Sequence, residues 1–198
     1  MDNITDTLTK ISPEEWIGFV FGVWGIILGI KEKLLYYPVS LINVIISLYL
    51  FFNQKLYSDA IQQVVYISLL SYGWVRWSKG GRTETKLNVT HASQAVIFRL
   101  LLLIAAYTFI TGTLFKNYSD ASLPYWDALA TALSFSAQFL LAEKKIENWL
   151  VWIDVNIIYI GIYYYKGLPL YTILFTIYLL LAVFGYFKWL NHVVEQEG

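Results

Sequence analysis

Apolar residues in this chain gather into seven blocks of roughly 15–22 residues, close to the length that crosses the hydrocarbon core of a bilayer as a helix. The blocks predict helices over residues 16–30, 37–52, 57–77, 96–115, 126–142, 149–165 and 170–190. None of them has the wide polar face of a helix packed in water. The stretch 78–95 between the third and fourth blocks is polar, contains glycine and reads as a linker.

The pattern occurs twice. Tyr72-Gly73-Trp74-Val75-Arg76-Trp77 closes the third block, and Phe184-Gly185-Tyr186-Phe187-Lys188-Trp189 closes the seventh, 112 residues later. At the same offset Gly18, Gly22, Gly25 and Gly29 map onto Ala130, Ser134, Ala137 and Leu141. In the first block these glycines form GxxxG patterns on a single face, which lets helix backbones approach closely. The second and sixth blocks align at 113, which sets Asn43 on Asn156. A one-residue difference in the following loop restores 112, with Tyr66 on Tyr178 and Gly73 on Gly185. Corresponding blocks are four spans apart, so the two repeats run in the same direction. The fourth block belongs to neither and supplies the odd crossing. The expected fold is an all-α membrane protein of seven transmembrane helices in a 3+1+3 arrangement. Parallel three-helix repeats at 16–77 and 126–190 are joined by a connector helix at 96–115, about a pseudo-two-fold axis along the membrane normal.

Charge supplies the orientation. Only 14% of residues are charged, against about 25% in a soluble domain. Lys31, Lys33, Arg76, Lys79, Arg82, Lys86, Arg99, Lys144, Lys145 and Lys188 fall on one side of the predicted spans. Lys10, Lys55, Lys116 and Lys166 fall on the other. The positive-inside rule puts the richer side in the cytoplasm. Residues 1–15 are then extracytoplasmic, 191–198 form a cytoplasmic tail, and the protein sits in the inner (cytoplasmic) membrane. Asp2, Asp6 and Lys10 precede no apolar run of the signal-peptide kind. The chain has no cysteine, which excludes disulfides and thiol chemistry. Zero net charge gives no sign of a nucleic-acid partner. Phosphate-binding, metalloprotease and serine-hydrolase motifs are absent, so neither ATP hydrolysis nor another enzymatic activity is expected, and no cofactor or metal. His91 and His192 read as solvated. A lipid-modifying enzyme would need clustered acids or histidines at a membrane face. A mere scaffold would bind no ligand saturably.

Polar side chains inside membrane helices usually face the bundle interior or a cavity. Tyr36, Ser40, Asn43 and Ser47 share a face of the second helix, at spacings of one helical turn and its multiples. Asp59, Gln63, Tyr66, Gly73 and Trp77 share a stripe of the third, with Gln62 beside it. Trp149, Trp152, Asn156, Tyr159 and Tyr163 do so on the sixth, and Tyr171, Phe175, Tyr178, Gly185 and Trp189 on the seventh. The first half thus offers amides and hydroxyls, the second half aromatic rings. A pathway lined by both suits a flat, partly polar ligand, and a cationic one gains cation–π attraction. Trp77 and Trp189, at the helix ends, read instead as interfacial belt residues. Asn43 and Asn156 suit the pathway or contacts between repeats equally. Asp154 points away from the aromatic stripe. It reads as a structural acid paired with a basic group near the cytoplasmic boundary, or as the acid that attracts a cationic substrate or carries a proton. Asp59 and Asp127 lie near the outer ends of their helices.

Several of these segments resemble one family. Tyr37-Pro38-Val39-Ser40-Leu41-Ile42-Asn43, Leu56-Tyr57-Ser58-Asp59-Ala60 and the Tyr72–Trp77 motif are similar to the first half of PnuC-type vitamin transporters. Asp127-Ala128-Leu129, Lys145-Ile146-Glu147-Asn148-Trp149, Lys166-Gly167-Leu168 and Ala182-Val183-Phe184-Gly185-Tyr186 are similar to the second half. The resemblance spans residues 16–190 and implies a fold like that of SWEET sugar transporters. It implies facilitated diffusion of nicotinamide riboside by alternating access, with a cytoplasmic kinase trapping the vitamin. Thiamine is the leading alternative substrate, followed by riboflavin and nucleosides. The implied substrate contacts, midway between the triplets, are Asn43, Gln62, Gln63, Tyr66, Trp149, Trp152, Asn156 and Tyr178, to which the aromatic stripe adds Tyr159. A homo-oligomer in the bilayer is compatible with the sequence.

Overall fold

A computed structural model describes residues 13–53, 57–80 and 87–197, with side chains placed from Phe19 to Val194 apart from 54–58 and 81–86. Among the described residues it has seven α-helices and no strand: α1 Pro13–Ile30, α2 Tyr36–Asn53, α3 Tyr57–Lys79, α4 Gln94–Tyr118, α5 Pro124–Ala142, α6 Glu147–Tyr165 and α7 Pro169–Glu197. Each contains one of the expected blocks. The largest difference is at the end, where α7 continues as helix through most of the expected tail. The N-terminal residues up to 12, Lys55, Leu56, Arg82 and Lys86 lie outside the described residues.

Three described helical stretches are long and apolar enough to cross a membrane by composition alone: Tyr36–Asn53, Gln94–Tyr118 and Pro169–Val194. The apolar stretch of α1, Phe19–Ile30, is shorter. The case of α5 shows why a membrane helix can fall below that mark. It buries Ser134, Ser136 and Gln138 among small residues, and protein neighbours rather than lipid receive those side chains. Ser134 and Ser136 each donate to the carbonyl one turn back, at 2.7 and 2.9 Å.

The chain divides into two compact units at Ser71 and Tyr72, inside α3. The expected division lay in the polar linker that follows. The last two turns of α3 go with the second unit because Trp77 donates its indole N–H to the carbonyls of Leu141 and Ala142, at 3.3 and 3.1 Å.

In the first unit α1 packs on α2. The GxxxG face makes this contact: a Cβ on Gly25 would stand 3.1 Å from Ser40 Oγ, and one on Gly29 would stand 3.4 Å from the Tyr36 ring. Tyr36 and Ser40 of the α2 polar stripe are therefore used in helix packing. In the second unit α5 lies between α4 and α6, and α6 packs on α7.

The turns α1–α2 and α5–α6 repeat bond for bond at an offset of 112. Lys33 N donates to Leu28 O and Glu32 N to Gly29 O, as Lys145 N donates to Leu140 O and Lys144 N to Leu141 O. These paired bonds are the Schellman ending of a helix. The residue that must turn left-handed is Glu32 in one (φ 53°) and Lys144 in the other (φ 51°). Neither is glycine, and each costs about 1–2 kcal/mol. The following bonds also match: Tyr36 N to Lys33 O with Asn148 N to Lys145 O, and Tyr37 N to Leu34 O with Trp149 N to Ile146 O. Register into α2 and α6 is thus 112, not 113. Asn43 occupies the helical position of Val155, one residue away from that of Asn156.

Gly185 admits the flat of an indole. A Cβ there would stand 2.8 Å from Trp149 Cδ2 and Cε3, and Trp149 is held in turn by Trp189 (5.4 Å between centroids, interplanar angle 90°). Gly185→Ala should lower the thermal unfolding midpoint. Overpacking of about 1–3 kcal/mol outweighs the helix-propensity gain of about 1 kcal/mol. A midpoint at or above the parent's, measured in the same detergent, would show that the indole has room to move.

Candidate functional site

The aromatic stripes of α6 and α7 face each other. Tyr159 lies 4.7 Å from Phe175 and 5.8 Å from Tyr163 between ring centroids. Tyr163 stacks on Tyr171 at 5.0 Å, and Phe175 meets Tyr178 edge-on at 5.6 Å. Four-residue spacing on both helices produces this ladder, since it brings one ring per turn to the same face. Much of the ring area expected to line a pathway is spent on these contacts.

Two residues of the α6 stripe keep chemistry to offer. Trp152 is half-buried and has no ring partner among the described residues. Asn156, 4% exposed, donates from Nδ2 to the Trp152 carbonyl at 2.7 Å. An amide retains a carbonyl oxygen and a second N–H after that bond. Trp149 stands apart from these two. It is buried against Gly185 and Trp189, and its Nε1 has no hydrogen-bond partner among the described residues.

The remaining expected contacts belong to the first unit. Asn43, Gln62, Gln63, Tyr66 and Asp59 are all half-buried. The Asn43 carbonyl oxygen is buried with no hydrogen-bond partner among the described residues. Helical spacing places Asp59, Gln62, Gln63 and Tyr66 along one side of α3, with Asp59 in its first turn. Asp154 joins neither set. It is exposed, whereas Val155 and Asn156 beside it are buried, and it makes no ion pair among the described residues.

Trp77 and Trp189 are not belt residues. Trp189 is 0% exposed and Trp77 9%, and their rings lie 6.4 Å apart. They sit under the α5–α6 turn, where a set of contacts gathers that the sequence did not reveal. Lys144, 2% exposed, holds its ammonium 4.6 Å over the Trp77 ring, a cation–π contact. Thr90 of the linker forms a parallel bridge with Lys145, and Lys145 Nζ donates to Thr90 Oγ1 at 2.7 Å. Glu147 accepts from Ala92 N at 2.9 Å and meets His91 Nδ1 at 2.9 Å. Glu143 receives the Tyr72 hydroxyl and the Arg76 guanidinium, at 3.1–3.3 Å. The only sequence signal was a dense charge cluster in a turn joining two apolar blocks. At the opposite end of α5, Asp127 pairs with Lys166 at 3.5 Å.

Burial works to raise the Glu143 carboxyl. The hydrogen bonds from Tyr72 and Arg76, with the Arg76 and Lys145 charges, outweigh it and hold the group below its ordinary value of 4.5. A carboxyl lowered on folding adds stability that is complete above its unfolded pKa and is lost as pH falls through the folded one. Glu143→Gln should therefore unfold at lower temperature than the parent at neutral pH, and the gap should close as the buffer is taken well below pH 4.5. A gap independent of pH would mean that the contact is steric and not ionic.

Comparison with known proteins agrees with this architecture. The model of the nicotinamide mononucleotide transporter family matches residues 12–191. The nicotinamide riboside transporter PnuC of Escherichia coli is 25% identical over 207 residues, covering 92% of this chain and 87% of that protein. PnuC of Neisseria mucosa is 28% identical over 204 residues, covering 94% and 76%. The riboflavin/roseoflavin transporter RibM of Streptomyces davaonensis is 24% identical over 178 residues, covering 88% and 83%. The crystal structure of the vitamin B3 transporter PnuC shares the fold, with a TM-score of 0.73 at 23% identity over 97% of this chain and 88% of that one. The family match takes in six of the seven helices whole and α7 as far as Asn191, and the chain belongs to the nicotinamide mononucleotide transporter family, whose members are multi-pass membrane transporters and not enzymes.

Proposed function

We propose that this protein is a facilitator for uptake of nicotinamide riboside across the inner membrane. It works by alternating access, with the N-terminus outside and the C-terminus in the cytoplasm. The observation that carries the reading is the pairing on α6 of an unstacked indole, Trp152, with a buried amide, Asn156, beside a ladder of tyrosines. A cationic nicotinamide ring gains from an indole face roughly 0.5–2 kcal/mol, and the amide, with Tyr159 and Tyr178, hydrogen-bonds its polar substituents. In the first unit Asn43, Gln62, Gln63 and Tyr66 supply donors and acceptors for ribose hydroxyls, and Asp59 supplies negative charge at the outer end. The relatives named as nicotinamide riboside transporters support the same substrate. Phosphorylation by a cytoplasmic kinase then traps the vitamin, so transport itself needs no energy source.

Thiamine is the second reading, because its cationic aromatic ring presents the same surface to Trp152. The likeness to RibM places riboflavin among the ligands to compare.

Titration of the purified protein with nicotinamide riboside should change its tryptophan fluorescence saturably. Trp152→Ala should weaken binding by about tenfold, the equivalent of a lost stacking and cation–π contact, and Asn156→Ala should also weaken it. Unchanged affinity in both variants removes α6 from the site. A response to thiamine alone transfers the function to that vitamin.

Proteoliposomes should equilibrate nicotinamide riboside without concentrating it. Accumulation driven by a proton or sodium gradient would replace facilitated diffusion with ion coupling.

A further inference from the structure

The turns that match bond for bond at an offset of 112 fix more than their own backbone. They set the helices on either side in the same register, so a contact across one hairpin predicts the contact across the other. Across α1–α2, Gly29 faces the Tyr36 ring and Gly25 faces Ser40. The corresponding pairs across α5–α6 are Leu141 with Asn148 and Ala137 with Trp152. Leu141, Asn148 and Ala137 are all buried, as that placement between two packed helices requires.

The first hairpin sets glycine against serine at this level, and the second sets alanine against tryptophan. A Cβ on Gly25 would stand 3.1 Å from Ser40 Oγ. Carbon atoms rest about 3.5–4.0 Å apart, so an indole carbon in the place of that hydroxyl would be crowded by the methyl group of Ala137. A helix leaves an aromatic side chain two χ1 rotamers, near 180° and −60°. A methyl group that crowds one of them leaves the indole the other. No ring neighbour does this for Trp152 among the described residues, whereas Trp149, one turn back, is held by Trp189 and Gly185.

We propose that Ala137 is a positioning residue for the substrate: its methyl group confines the Trp152 indole to the rotamer that presents a face to the vitamin ring. This role rests on the reading of Trp152 as the stacking residue of the site. It gives α5, which carries none of the proposed substrate contacts, a part in affinity through a residue that never touches the ligand.

The contact is tested without ligand. In protein labelled with 5-fluorotryptophan, the fluorine resonance missing from Trp152→Ala belongs to Trp152. Ala137→Gly should shift or broaden that resonance more than those of the other tryptophans. Ala132→Gly makes the same backbone change on α5, at the counterpart of the exposed Val20, and should leave it in place. A Trp152 resonance that ignores Ala137→Gly, or that responds equally to Ala132→Gly, overturns the contact.

Calorimetric titration with nicotinamide riboside tests the positioning. Ala137→Gly should weaken binding about two- to fivefold, as the freed rotamer dilutes the binding-competent one. In the Trp152→Ala background the same change should cost nothing more, because the two residues act through one contact. Equal losses in both backgrounds would mean that Ala137 acts on the fold and not through the indole, and that result overturns the proposal. Weak binding by Trp152→Ala beside parental binding by Ala137→Gly overturns the positioning role alone. Parental binding by Trp152→Ala removes the stacking residue, and the role of Ala137 falls with it.

Discussion

The second unit depends on one turn between two helices. Lys144 must adopt a left-handed backbone so that α5 can stop and α6 can start beside it. The cost of that conformation is offset where its side chain goes: buried over the Trp77 ring, it draws the end of α3 under the turn. Trp77 in turn gives its N–H to the last carbonyls of α5, groups that a helix end leaves without intrahelical partners. Glu143 and Glu147, either side, fasten Arg76 and the linker at His91 and Ala92. Remove the turn and the end of α3, the linker before α4 and the start of α6 lose their common anchor.

That anchor explains which parts of the fold were legible in the sequence. Seven apolar blocks and a repeated Gly-aromatic ending are local signals, and they gave the helices to within a few residues over nearly the whole chain. The glycine face of α1 was also readable, because small residues at four-residue spacing have one common use. Helical spacing says which residues share a face but not what lies opposite. The ends of α3 and α7 therefore looked like amphipathic edges, although Trp77 and Trp189 pack on each other. For the same reason Tyr36 and Ser40 looked like pathway residues and instead meet the glycines of α1. A one-residue error of register joined Asn43 to Asn156. Matching amides in the sequence outweighed the turn bonds that fix the true alignment, and those bonds are invisible without coordinates.

The candidate substrate residues show the same division. That Trp152 and Asn156 belong together was plain from four-residue spacing. That Trp149 is core was not, since its separation from Trp152 is equally helical. What distinguishes the two indoles is Gly185 on the neighbouring helix, which gives Trp149 a flat surface to occupy. The tyrosines below them stack on one another and form a stiff wall along α6 and α7.

The paired turns also carry a history. Two positions of opposite charge, Glu32 and Lys144, hold the same unfavourable backbone conformation and the same pattern of hydrogen bonds. A strained conformation that recurs at a fixed offset, with the same hydrogen bonds around it, marks the two hairpins as copies of one backbone. The backbone of the turn is then older than the side chains now on it. On the second hairpin a buried lysine and two glutamates gather Trp77, Arg76 and the linker around that backbone, so side chains laid on a shared turn tie it to the rest of its unit.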